Sequence, residues 1–287
     1  MNLTEMKERL TITLDTFLLK EIDATIDGIN VRNRSHAIER LLETALTQNA
    51  PKKAVVLAGG STVRSSEGIL MPKVMLKVRN KPILEYVLQE LSRNGVNELV
   101  IAAGEGSEQI TSYFGNGSSF GVRITYLIEE KRRGTEGALL LAKGLVGPEP
   151  FFVVNGDNMY KFDLLNMYKQ HLATKAVVTI ALTTAEKTSN FGVIKLEGSK
   201  IMEFTEKPVI GKSQLVSTGM YIFDKSALDM IEPSSQPSML ESGLFPRLAE
   251  IGKLYGYVIS GAWQPLISNN IEGSIKKMEK LVASASF

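Results

Sequence analysis

The sequence predicts an α/β protein: a mostly parallel sheet with helices on both faces and an antiparallel lid, preceded by a small strand–helix–helix domain. Three observations carry this. From Ala54 onward, β-branched apolar runs alternate with stretches of helical periodicity, the pattern of a parallel sheet. The first run, Val55-Val56-Leu57-Ala58, ends in Gly59-Gly60, a strand delivering its C-terminal end to a ligand. Ahead of it, residues 9–15 alternate strictly and two short amphipathic helices follow.

In the first of those segments Leu10, Ile12 and Leu14 face one way, and Arg9, Thr11 and Thr13 the other. Asp15 is placed to cap a helix to about Ile26, which Gly28 ends. A second helix runs from about Asn33-Arg34-Ser35 to Leu46, so the boundaries are a domain over 1–48, a linker over 49–53 and a large domain over 54–287. One strand and two helices cannot bury a core alone, and a lone strand has two open edges. Pairing two chains removes both problems. The order over residues 8–47 resembles the ribbon-helix-helix DNA-binding family. That resemblance implies a homodimer or higher oligomer through this domain. It places Arg9, Thr11 and Thr13 at base edges, and Arg34 and Ser35 at a helix N-terminus that anchors a phosphate. The opposite indication is a net charge of −2 over residues 1–50, a weak footprint for DNA.

In the large domain, strands are expected at 54–58, 98–103, 122–128, 151–155 and 176–182. Helices are expected at 81–94, 106–114, 135–145 and 162–171. Residues 191–196, 200–205 and 216–223 read as the antiparallel lid, and 241–250 and 271–283 as closing helices. His171 reads as a surface helix residue and Trp263 as packing.

Composition narrows the chemistry. The 287 residues contain no cysteine, which excludes disulfides and thiolate metal sites, and the two histidines, His36 and His171, are far apart. No apolar run approaches the roughly 20 residues that span a bilayer, and the N-terminus has no signal-peptide core, so a cytoplasmic protein without a membrane partner is expected.

The motifs Leu57-Ala58-Gly59-Gly60, Arg64, Pro72-Lys73, Lys81-Pro82-Ile83-Leu84, Gly134-Thr135, Asn155-Gly156-Asp157, Glu206-Lys207-Pro208 and Thr218-Gly219-Met220-Tyr221 follow one another in order. This order resembles the sugar-phosphate nucleotidylyltransferases over about residues 53–285. It implies a Rossmann-like nucleotidyltransferase sheet (GT-A type). It also implies a reaction in which a sugar 1-phosphate oxygen attacks the α-phosphorus of a nucleoside triphosphate and pyrophosphate leaves. Such chemistry needs positioning and charge neutralisation rather than a protein nucleophile. The resemblance assigns Arg64, Lys73, Asp157 and Lys207 to catalysis, and Leu57, Ala58, Gly59, Gly60, Glu129, Gly134 and Thr135 to the nucleotide. It assigns Glu206 and Gly192 to the sugar, and Asp157 with Asn269 to Mg²⁺.

Three departures matter. Thr62 and Val63 stand where the family's phosphate loop carries Gly-Thr, which stiffens the backbone. Pro265 stands where many relatives carry a second metal-binding aspartate, leaving Asn269 or Asn270 as neutral oxygen donors. Glu129 stands where uracil- and thymine-binding relatives often carry glutamine. A carboxylate accepts two adjacent donors, which suits the N1–H and N2–H edge of guanine. Two functions follow. The leading one is a DNA-binding transcriptional regulator whose large domain senses a nucleoside triphosphate or nucleotide sugar as effector. The other is an active nucleotidylyltransferase with an N-terminal oligomerisation or autoregulatory arm. A scaffold that binds nothing is disfavoured by the retained Lys and Arg set.

Overall fold

The computed structural model describes residues 11–28, 31–48, 51–64, 68, 70–208 and 213–284. They fall into two compact units, one within residues 1–50 and one within 51–287.

In the first unit, Asp15 caps the helix Thr16–Ala24 by accepting from the Leu18 N–H at 2.8 Å. The second helix is Arg34–Gln48, and Asn33 accepts from the His36 N–H at 3.0 Å at its start. Both helices therefore form where expected. The strand does not: residues 11–15 carry no ladder pairing, and Arg9 and Leu10 lie outside the described residues. A ribbon strand is held by its partner's hydrogen bonds, so one chain has nothing to fix it. Arg34, expected at a DNA phosphate, makes two bonds to the Asp23 carboxylate at 2.6 and 2.7 Å, and the pairing lowers the Asp23 pKa. Thr11, Thr13 and Ser35 are exposed. Among the described residues here, Ile22 and Ala37 are the buried hydrophobics, while Ile12, Phe17, Leu18, Leu41 and Leu42 are exposed.

The second unit is built on a nine-stranded sheet: β1 (Lys53–Ala58), β2 (Glu98–Ala103), β3 (Arg123–Ile128), β4 (Phe151–Asn155), β5 (Val178–Thr184), β6 (Gly192–Glu197), β7 (Lys200–Glu206), β8 (Leu215–Phe223) and β9 (Leu254–Val258). The order is β5-β9-β7-β6-β8-β4-β1-β2-β3, and β5 also pairs with β8. Strands β4, β1, β2 and β3 are parallel neighbours. The rest is mixed, and β8 joins the halves by running antiparallel to β4.

Strands β6, β7 and β8 are therefore not a lid but a continuation of the sheet. The reason lies in β8, whose residues from Val216 to Phe223 are all buried, as only a central strand covered on both faces can be. Behind this junction a core cluster gathers Val153, Phe151, Tyr221, Phe223 and Phe245. The Tyr221 and Phe245 rings lie 5.0 Å apart. Parallel pairing of β1 with β4 sets Leu57 opposite Asn155, so the glycine turn and the Asn-Gly-Asp turn leave the sheet at the same edge.

Candidate functional site

At that edge lies a cavity of about 390 Å³. Its walls include Asn155, Asp157, Gly192, Glu206, Lys207, Tyr221, Glu241, Trp263 and Asn269. Three of the ordered sequence motifs thus reach one space.

Asp157 is fixed by its turn. The Gly156 N–H donates to the Leu57 carbonyl at 3.0 Å, and the Asp157 carbonyl accepts from the Leu266 N–H at 3.2 Å. Burial raises the carboxyl pKa, and the nearby Lys73 ammonium opposes that rise. Lys73 opens a 3₁₀ turn after Pro72, and its Nζ donates to Ser268 Oγ at 2.7 Å, beside Asn269. Asp157 and Asn269 offer one carboxylate and one amide carbonyl to the same cavity. That set suits Mg²⁺, a hard ion that fills its remaining positions with water and phosphate oxygens. Among the described residues no group of three or more His, Cys, Asp or Glu forms a fuller cage.

Glu206 and Lys207 close the far wall. Glu206 Oε1 pairs with Lys207 Nζ at 3.0 Å, while its Oε2 is buried and takes no hydrogen bond from the protein. Lys207 adopts φ 43°, a left-handed conformation unusual for a lysine, and its N–H donates to the Phe191 carbonyl at 3.1 Å. Asn158 Nδ2 and Trp263 Nε1 both donate to the Thr218 carbonyl at 2.9 Å, which holds the Thr218-Gly219 segment. Trp263 packs edge-to-face on Phe191 with centroids 5.1 Å apart, the packing role expected, and it also lines the cavity.

The base-side residues lie outside that cavity lining. Leu57 and Ala58 end β1. The Glu129 carboxylate occupies the space beside Gly59: a Cβ on Gly59 would stand 3.0 Å from Glu129 Oε2. Glu129 Oε1 is buried and takes no hydrogen bond from the protein, and burial raises the carboxyl pKa against the opposing charge of Arg133. Gly134 has φ 75°, and a Cβ there would fall on the Ser238 carbonyl oxygen, so only glycine fits. Thr135 Oγ1 reaches Glu241 Oε2 at 3.4 Å, linking the Gly-Thr pair to the cavity wall. Arg132 Nη2 donates to the Gly60 carbonyl at 3.1 Å and pairs with Glu105 at 3.5 Å, tying the 129–135 loop to the glycine turn.

Arg64 is the catalytic expectation that the geometry does not bring in. Thr62–Arg64 pairs with Leu70–Pro72 as a two-stranded hairpin, and the exposed Arg64 donates to the Gly68 carbonyl at 3.0 Å. Thr62 and Val63 favour extended backbone, which explains a ladder where an open phosphate loop was expected. His171 also departs from expectation. It is 2% exposed, with Nδ1 2.8 Å from Thr179 Oγ1, and burial lowers its pKa to about 4. Glu241 and Ser268 were not foreseen, since neither lies in a recognisable motif.

Residues 53–265 match the family model described as nucleotidyl transferase; residues 1–52 precede the match. A mannose-1-phosphate guanyltransferase beta-A of Xenopus laevis is 32% identical over 220 residues, which is 75% of this chain and 61% of that protein. A mannose-1-phosphate guanylyltransferase catalytic subunit beta of Danio rerio is 34% identical over the same shares. The chain thus spans 61% of the length of these curated relatives. A Bacillus anthracis structure provisionally assigned as a glucose-1-phosphate thymidylyltransferase, in complex with a sucrose, superposes with a TM-score of 0.73 at 25% identity, covering 82% of this chain and 96% of that one. Among the described residues no helix is long and apolar enough to cross a membrane.

Proposed function

The chain belongs to the nucleotidyl transferase family, and from that premise we propose that residues 51–287 transfer a nucleotidyl group from a nucleoside triphosphate to a sugar 1-phosphate. The favoured pair is GTP and mannose 1-phosphate. The observation that carries this reading is the meeting of Asp157, Glu206 and Lys207 at one cavity, with Lys73 bonded to Ser268 in its wall and near the Asp157 carboxylate. The relatives carry enzyme names, so the enzyme replaces the DNA-binding regulator as the leading reading.

In this reading a sugar-phosphate oxygen forms a bond to the α-phosphorus. The α–β bridging bond breaks, and pyrophosphate departs with the electron pair. Lys207 holds the sugar phosphate at the wall formed with Glu206. Lys73 offsets charge on the α-phosphate, where it is worth most in a water-poor site. Asp157 and Asn269 would hold Mg²⁺, which when bound supplies further charge neutralisation at the phosphates. Glu129 Oε1, buried without a donor, is matched by the N1–H and N2–H edge of guanine. The guanyltransferase names of the relatives agree with that choice.

The N-terminal unit is read as a self-association arm. Its exposed Phe17, Leu18, Leu41 and Leu42 support this, because so small a unit buries too little apolar surface alone.

The test is pyrophosphate release. GTP, ATP, CTP, UTP and dTTP are each combined with a panel of sugar 1-phosphates and Mg²⁺. Turnover highest with GTP and mannose 1-phosphate is the expected result. No turnover with any pair, while nucleotide sugars still bind in calorimetry, would return the chain to a sensing role.

A further inference from the structure

Glu241 is a cavity-lining carboxylate that the chemistry above leaves unused. It lies in the turn before the helix Leu244–Glu250, and its carboxylate lines the cavity near Glu206, Lys207 and Tyr221. Two hydroxyls approach it. Thr135 Oγ1 is 3.4 Å from Oε2, and the Tyr221 hydroxyl is 3.5 Å from Oε1. Hydroxyls bound to a carboxylate normally approach to about 2.5–2.7 Å. Both contacts are long for a carboxylate, and with a bond from its own backbone N–H they leave acceptor capacity for a ligand. Burial raises its pKa, the backbone bond and Lys207 oppose the rise, and Glu206 adds to it.

The carboxylate is not held loosely. Leu240 N–H donates to Thr135 Oγ1 at 2.8 Å, Glu136 N–H to the Ser238 carbonyl at 3.1 Å, and Ser238 N–H to the Arg133 carbonyl at 2.9 Å. The Glu136 carboxylate accepts from the Leu244 N–H at 2.6 Å and from the Ser238 hydroxyl. Residues 238–244 are thus zipped to 133–136. A pre-positioned acceptor with unfilled capacity, facing a cavity, is matched by a ligand that brings the donor.

We propose that Glu241 is a second sugar-reading carboxylate beside Glu206, accepting a hydrogen bond from one hydroxyl of the hexose 1-phosphate. The inference rests on the transferase reading and adds a specificity-determining residue to it. Glu206 and Glu241 both line the cavity, and carboxylates accept and do not donate, so the pair selects a sugar edge with two donating hydroxyls. Sugars lacking either hydroxyl leave a buried acceptor unpaired and are rejected.

The experiment uses the full chain with GTP and Mg²⁺. Mannose 1-phosphate and its monodeoxy analogues are compared in wild type, Glu206→Gln and Glu241→Gln. Wild type is expected to discriminate against the relevant deoxy sugars. Glu241→Gln is expected to raise KM for mannose 1-phosphate about 10- to 100-fold, the factor a bond to a charged group carries, and to leave KM for GTP within about threefold. It is also expected to erase the penalty for one deoxy analogue, and Glu206→Gln the penalty for a different one. If Glu241→Gln keeps every penalty, or raises both KM values together, Glu241 is structural and the proposal falls alone. Should that variant not fold, Glu241→Asp, with the carboxylate drawn back by one methylene, carries the same comparison. Wild type that neither turns over nor binds any hexose 1-phosphate would overturn this inference together with the transferase reading.

Discussion

The proposed sugar end of the cleft and its proposed base end are built from different material. Asn155, Gly192, Glu206 and Tyr221 stand on β4, β6, β7 and β8, strands locked by sheet hydrogen bonds around a shared aromatic core. Gly59, Gly60, Glu129, Arg132 and Thr135 stand on turns and loops, or at a helix start, tied across the gap by single side-chain contacts such as Arg132 to the Gly60 carbonyl. Groups on strands hold position before the ligand arrives, whereas groups on loops can adjust to it. The comparison therefore predicts that substitutions at the sugar end act on kcat and sugar affinity, and substitutions at the base end act on nucleotide choice.

The largest expected effect tests the sugar end. Asp157→Asn keeps shape and removes the charge set against Lys73. Turnover should fall about 10²–10³-fold, the scale on which removal of one transition-state electrostatic group is felt. The melting temperature should hold, since relief of a buried charge offsets a lost bond. Steady-state kinetics beside a thermal melt checks both. A drop smaller than about tenfold would mean that the Asn-Gly-Asp turn serves the fold and not the chemistry.

The next effect concerns the frame under both ends. His171 has its folded pKa lowered from 6.5 to about 4 by burial. A folded state that refuses a proton accepted by the unfolded chain is stable above pH 6.5 and loses that contribution as pH falls toward 4. The loss amounts to roughly 3 kcal/mol. Asp157, Glu129 and Glu241 have raised pKa values and act with the opposite sign, regaining stability on acidification. The contrast between wild type and His171→Gln isolates the histidine. Urea titrations at pH 7 and pH 4.5 should show wild type losing more stability than the variant, with sugar and nucleotide binding lost together.

How much of this was legible follows from where each signal lies. The parallel half was readable because β-branched runs ending in glycine have few alternatives: Val55 to Gly60 names both strand and ligand edge. The sheet's mixed half reads as a lid because a strand such as Val216–Phe223, apolar at its ends with Ser217-Thr218-Gly219 inside, says that it is a strand but not which strand it pairs with. His171 was misplaced although its helix carried the answer. Leu164, Met167, Tyr168 and His171 recur at helical spacing on one buried stripe, and a polar residue in such a stripe is covered with it. Glu241 left no sequence signal, because its position depends on a tertiary zipper to residues 133–136 that no local spacing encodes. The N-terminal helices were legible from Asp15 and from helical spacing, while the expected strand before them carries no ladder pairing among the described residues.

At the base end, Glu129→Gln should lower the preference for GTP over UTP by roughly 10- to 100-fold, with KM moving more than kcat. The amide replaces one acceptor with a donor, which suits the alternating donor and acceptor edge of uracil better than the paired donors of guanine. Competition assays with the two triphosphates measure the ratio directly. An unchanged ratio would mean that the buried Oε1 answers to something other than the base.

The smallest effect is expected at Arg64, and it bears most directly on the difference between the ends. An exposed guanidinium already bonded to the Gly68 carbonyl of its own hairpin contributes little to a site it does not line. Arg64→Ala should change kcat/KM for GTP by less than about fivefold, the range of a solvent-exposed charge contact. A loss near a hundredfold would instead require the Thr62–Arg64 hairpin to swing its arginine onto the triphosphate during turnover. The hairpin would then supply catalytic charge beside that of Asp157 on its turn and Lys73 on its 3₁₀ turn. The division between a fixed sugar end and an adaptable base end would give way to a cleft completed only when nucleotide binds.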